Sequence, residues 1–171
     1  MRRLSKYVAI AKIHFANTLA YRAGVWSRFA FYTLFIYVFM GLWGAIYREG
    51  SVHGYSYTQI VWYLIMSEFV AFVMRGEAYR ALGDEVRSGT LAYQLGRPVH
   101  YLLYHFAGFA GQALMNGLCF GALAAALGFA FVGPLPTFRM EEIAPVLLSL
   151  GLSATLNFFL MMLIGLSAFA I

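Results

Sequence analysis

Few of the ionisable residues in this 171-residue chain are placed to make or break bonds. Asp84 and Glu85 are adjacent with no histidine close to them in the sequence, so a paired acid and base has little support. His14, His53, His100 and His105 are spread over three segments, and the two nearest neighbours are five residues apart, a spacing that does not share a helix face as metal ligands do. No metal site is expected. Gly83 to Gly89 has the wrong spacing for a phosphate-binding loop and lacks a Lys-Ser or Lys-Thr pair after its second glycine, and neither G-x-S-x-G nor H-E-x-x-H occurs. What the chain does concentrate is charge of both signs. Glu77, Arg80, Asp84, Glu85 and Arg87 are close enough to pair at three or four residues along a helix surface. Gly89 can stop that helix in a left-handed conformation. A short extended piece, Leu91 to Leu95, then leads to a turn at Arg97-Pro98, because a residue before proline is biased away from the helical region.

The elements around this cluster are apolar. Hydrophobic residues make up 62% of the chain and charged residues only 11%, against roughly 25% in a soluble domain. Ten of the twelve Lys and Arg residues fall within 1–28 and 75–100, which alternate with four nearly uncharged stretches, 29–47, 58–74, 104–132 and 143–171. A helix rises about 1.5 Å per residue and the hydrocarbon core is roughly 30 Å thick, so each stretch can cross a bilayer, the longer two with tilt or an interfacial turn. The expected fold is all-α: a single transmembrane domain over 1–171, a polytopic bundle of four spans preceded by an interfacial helix within 1–28. Lys12, Arg22 and Arg28 interrupt the N-terminal segment, so it is no signal peptide. Cytoplasmic loops retain Lys and Arg, which places the N-terminus and the loop 75–103 in the cytoplasm of a multi-pass inner-membrane protein. The net charge of +5 then reads as a topological signal and an attraction to anionic membrane lipids, with no nucleic acid needed. A single cysteine, Cys119, excludes an intrachain disulfide framework.

Within this frame Leu4, Val8, Ala11, Phe15 and Leu19 form an apolar arc on the first helix, with His14 and Asn17 elsewhere and Ile10 and Ile13 on the polar side. Residues 48–57 make an external turn, and Gln59, Trp62 and Tyr63 read as interface anchors of the second span. Glu68 sits about ten residues into that span. An ionisable group in mid-span costs a few kcal/mol and turns toward the protein or a wet cavity, where it either holds helices together or lines a route. Gln112, Asn116 and Asn157 are mid-membrane amides open to the same two readings. Gly117, Gly121 and Ala125 recur every four residues on the third span, a face another helix can approach closely. Pro134 and Pro136 end that span, and Phe138 to Glu142 leaves room only for a short external loop. The fourth stretch runs apolar to Ile171 with no polar flank, which predicts a chain lacking later spans.

The loop also carries a resemblance. Glu85, Val86, Arg87, Ser88, Gly89, Thr90 and Leu91, followed by Leu95, Arg97, Pro98 and Val99 and an aromatic-rich span, resemble the permeases of ABC-2 type exporters, in particular a formerly uncharacterised six-span branch. Tyr21-Arg22 and Gly54-Tyr55-Ser56 are similar as well. The resemblance implies a coupling helix in the first cytoplasmic loop that docks into a separate ATP-hydrolysing subunit, approached also by the N-terminal helix. It implies contacts through Arg80, Asp84, Glu85, Val86, Arg87 and Ser88, with Gly89, Arg97 and Pro98 at stiff corners. It further implies a pairing with a second copy or a sibling permease, six spans against the four read here, and ATP and magnesium on the partner, with no cofactor on this chain. An exporter subunit for an amphiphilic drug, lipid or glycoconjugate is the reading that follows. Its rivals are a membrane scaffold or assembly protein and, less supported, an intramembrane enzyme built on Glu68 and His105.

Overall fold

A computed structural model describes residues 2–20, 22–48, 54–74, 78–135 and 140–167, and they are helical apart from short connections. The helices are α1 (Arg2–Ala20), α2 (Arg22–Arg48), α3 (Tyr57–Val73), α4 (Ala78–Arg87), α5 (Leu91–Leu95), α6 (Tyr101–Leu127) and α7 (Ile143–Leu166). A π-helical turn, Gly128–Val132, continues α6, and a 3-10 turn, Met140–Glu142, leads into α7. Among the described residues three helical stretches are long and apolar enough to cross a membrane: Gly24–Arg48, Tyr101–Val132 and Ile143–Leu166. The 17-residue α3 is a shorter apolar helix at the low end of the spanning range. The protein is thus an all-α membrane protein with several spans. Tyr21, His53, Arg75, Glu77, Pro136, Phe138 and Arg139, the last four residues, and the side chains of Leu4, Leu19 and Arg22 lie outside the described residues.

Lipid tails are as apolar as leucine, so membrane helices associate by close packing and hydrogen bonds. Two packed clusters show how this is met. Tyr32 and Ile36 of α2, Val61, Trp62, Ile65 and Phe72 of α3, and Phe120 and Ala124 of α6 form the first. Phe120 is its hub, with ring centroids 4.9 Å from Phe29, 5.0 Å from Phe72 and 5.7 Å from Tyr32, mostly in the edge-on arrangements that aromatic quadrupoles favour. The Tyr32 hydroxyl donates to the Ile65 carbonyl at 2.9 Å, satisfying a polar group that the apolar medium would penalise. Leu82 of α4, Phe109 of α6, and Phe158 and Met162 of α7 form the second cluster, so the loop helix is part of the core.

Helix ends follow local chemistry. Ser56 and Gln59 form a capping box at the start of α3: the Gln59 amide donates to Ser56 Oγ at 3.3 Å, and the Ser56 amide donates to Gln59 Oε1 at 2.8 Å. Trp62 is no surface anchor. Its indole lies on Gly128, where any side chain would overlap it, and donates to the Gly133 carbonyl at 3.3 Å, so it locks α3 to the π turn. Tyr63, a further expected anchor, is exposed.

One further expectation is corrected. Leu91 to Leu95 is a helix, α5, not an extended piece, because Leu91 is drawn into the second cluster directly after the turn at Gly89. On α1, half-buried Tyr7, Ile10, Ala11, His14, Phe15 and Thr18 form the stripe toward the protein, which shares Ala11 and Phe15 with the apolar arc, and Val8 and Ile13 are exposed. The cause lies on α6, where Gly111 lets the Ala11 backbone approach so closely that a methyl group would overlap its carbonyl, and Gly108 faces the His14 imidazole. Of the stripe Gly117, Gly121 and Ala125, Gly121 faces the Phe69 ring and Gly117 has open space beside it.

Candidate functional site

The charged segment forms a compact unit between α3 and α6. Leu82 and Val86, four residues apart on α4, turn inward to Phe158 and Met162 of α7 and to Phe106 and Phe109 of α6, and Leu82 is left 2% exposed. The opposite side of α4 is polar, and Arg80, Asp84, Arg87 and Ser88 are exposed. Gly89 ends the helix with φ +71°, a left-handed conformation that costs any other L-residue about 1–2 kcal/mol. Ser88 Oγ closes the corner, donating to the Asp84 carbonyl at 2.6 Å and lying 2.9 Å from Thr90 Oγ1. Past α5 the Val99 amide donates to the Arg97 carbonyl at 2.8 Å, which makes a γ-turn centred on Pro98. The Arg97 guanidinium lies 5.2 Å from the Tyr93 ring centre.

Three polar ties from three different helices fasten this unit. At its entrance the Asn157 side-chain amide of α7 donates to the Met74 carbonyl at 2.7 Å, satisfying a helix-end acceptor. At its exit the His100 amide donates to the Tyr7 hydroxyl of α1 at 3.3 Å. In its middle the Glu85 carboxylate turns into the bundle: Oε2 accepts from the Tyr101 hydroxyl at 2.7 Å, and Oε1 lies 3.7 Å from His105 Nε2. The side chains of His105 and Glu85 are only 10% and 16% exposed.

A histidine therefore does stand beside Glu85, contrary to the expectation drawn from chain separation. The signal was present in the four-residue spacing of Tyr101 and His105, which puts both on one face of α6 just after the loop. The structure brings Glu85 to α6 but leaves Asp84 and Arg87 outside. Glu68 is half-buried on α3, one turn past Ile65, and Gln112 is half-buried on α6. Asn116 is 2% exposed, and its Nδ2, like Nε2 of His105, has no hydrogen-bond partner among the described residues. No three His, Cys, Asp or Glu residues among those described could hold a metal ion together.

Between α2 and the far end of α6 runs a mostly apolar groove of about 530 Å³, lined by Trp26, Phe29, Leu34, Leu123, Leu127 and Phe131 among others. In comparison with known proteins, the family described as ABC-2 family transporter protein matches residues 31–171, from early α2 to the end of the chain. No curated protein and no solved structure matches.

Proposed function

The chain belongs to the ABC-2 family of transporter proteins, and on that premise we propose that it is the permease subunit of an ATP-driven exporter. It moves an amphiphilic drug, lipid or glycoconjugate outward and takes its energy from a separate ABC ATPase, which carries the ATP and magnesium; this chain holds no cofactor. It works in the inner membrane with a second copy or a sibling permease, its N-terminus and the loop 75–103 in the cytoplasm.

The observation that carries this reading is the loop unit. A segment that only connected two spans would have no reason to bury Leu82, end at a left-handed glycine and be tied to α1, α6 and α7. Those features suit a lever: a polar outer face for a partner, a stiff body, and attachments to the helices that must move. Arg80, Asp84, Arg87 and Ser88 form the docking face, Val86 and Glu85 attach it from behind, and Gly89, Arg97 and Pro98 shape its corners. When nucleotide binding closes the paired ATPases, force on the outer face of α4 passes to α6 and α7 and rocks the permease between inward-facing and outward-facing states. The apolar groove beside α2 supports a cargo with an alkyl or aromatic portion.

The test is co-purification with the cognate ATPase. Arg87→Glu combined with Asp84→Arg is expected to reduce recovery of the complex at least about tenfold, since like charges then meet across a contact built for opposite ones. Membrane insertion should not change. A complex that survives the double reversal overturns the docking assignment, and a chain that assembles with other membrane proteins but never with an ATPase would be a scaffold.

A further inference from the structure

We infer that the groove between α2 and α6 is a binding site for a single alkyl chain of a membrane lipid, entered at headgroup level beside Trp26. The inference concerns what the groove holds and does not depend on coupling to an ATPase.

Position is the first ground. Every lining residue belongs to the spanning stretches Gly24–Arg48 and Tyr101–Val132, so the groove lies at membrane depth. Trp26 is close to the start of the first stretch, where indoles sit among headgroups, and is 69% exposed. From there the lining continues along α2 to Met40, a rise of about 21 Å, more than half of the roughly 30 Å hydrocarbon core. A lipid whose headgroup stays at the interface can therefore lay one tail along the groove and past the midplane.

Dimensions decide between occupants. About 530 Å³ spread over that length leaves a channel roughly 5–6 Å across. A helix with its side chains is about 10–12 Å wide and does not enter. A run of methylenes, which touches its neighbours at about 3.5–4 Å, does. Water is no competitor, because an apolar void stays dry, and an empty void would forfeit the contacts of its lining. Ile36, 1% exposed, forms the floor with half-buried Phe29 and Leu127, while exposed Leu34 and Phe131 stand as rims. A chain between them is touched on three sides, whereas one lying on an exposed helix surface is touched on one.

The experiment places the full chain, without ATPase, in nanodiscs containing a phospholipid with a photoreactive diazirine in one tail, and maps the labelled positions by mass spectrometry. If lipid only coats the protein, labelling follows exposure, and Leu147, Leu152 and Leu156 of α7, each 62–63% exposed, exceed half-buried Leu123 and Leu127 of the groove. A held chain reverses that order: Leu123 and Leu127 should label at least about threefold more than the α7 leucines, in line with contact on three sides instead of one. Ala30→Phe puts a ring into the groove from its α2 wall and should bring Leu123 and Leu127 below the α7 level, while Val38→Phe, on exposed α2 surface outside the groove, should change nothing. Labelling that follows exposure in the unaltered protein overturns the inference, as does a preference for Leu123 and Leu127 that survives Ala30→Phe. It is equally overturned if Leu123 and Leu127 stay unlabelled and Leu34→Cys, in a Cys119→Ala background, forms a disulfide between two copies, since a second copy then covers the groove. Because no ATPase is present, each of these results leaves the exporter reading standing, and failure to dock an ATPase leaves the alkyl site intact.

Discussion

At the scale of single residues, the distinction that matters is between neighbours on α4 that share a charge cluster but not a direction. Glu85 has its carboxylate among α6 side chains, while Arg87, two positions on, is exposed. Removing the hydroxyl that Glu85 accepts should therefore be felt in stability. Tyr101→Phe is expected to cost about 1.5–3 kcal/mol, the range for a hydrogen bond to a charged group, whereas Arg87→Ala should stay within about 0.5 kcal/mol. Thermal unfolding of the two variants in the same detergent measures the difference, and equal midpoints would contradict the assigned directions. Glycines divide in the same way. At Gly111 a methyl group meets the Ala11 carbonyl, and at Gly117 it meets nothing. Gly111→Ala should destabilise the protein by about 1–3 kcal/mol through overpacking and expose the amides of α1 to exchange, while Gly117→Ala should do neither.

At the scale of elements, what could be read from the sequence was whatever depends on a local pattern. The helix across Asp84 to Arg87 and its stop at Gly89 follow from neighbouring residues, and so do the apolar lengths of α2, α6 and α7. What could not be read depended on distant partners. The face of α1 is decided by Gly108 and Gly111, nearly a hundred residues later in the chain, and a helical wheel weighs only the hydrophobicity of α1 itself. Glu85 looked like a surface residue because its partners arrive only after the chain has turned at Pro98 and started α6. Asn157 was legible as a polar residue in an apolar helix, but not as the group that fastens the loop entrance. Its role gives an expectation at this scale. Asn157→Leu keeps the branched heavy-atom shape and removes the donor to the Met74 carbonyl, so the α3–α4 junction should gain susceptibility to protease and the exchange protection of α4 should fall, with α2 and the first core cluster unaffected. Uniform loosening of the whole protein would show instead that Asn157 acts as general packing.

At the scale of the molecule, the arrangement requires that α3 cross the bilayer, and among the described residues α3 is the apolar helix whose length alone does not make this secure. Its 17 residues rise about 25 Å, somewhat less than the hydrocarbon core. Two features compensate. The Ser56 box satisfies two amides at its start, and its Met74 carbonyl is satisfied by Asn157, so each end presents fewer bare backbone groups to lipid. Trp62 locks it to the π turn at the far end of α6, which ties the shorter helix to a longer one that spans with residues to spare. If α3 crosses, exposed Tyr55 and exposed Ser88 stand on opposite sides of the membrane, although only a short helix and the beginning of the loop unit separate them. In a Cys119→Ala background, Ser88→Cys should react with an impermeant maleimide only from the cytoplasmic side and Tyr55→Cys only from outside, as the clustering of ten of the twelve Lys and Arg residues requires. Labelling of both from one side would mean that α3 lies in the interface and that the loop unit cannot act as a lever between two spans. Labelling on opposite sides but with Ser88 outside would keep the bundle and place the docking face of α4 beyond reach of any cytoplasmic ATPase.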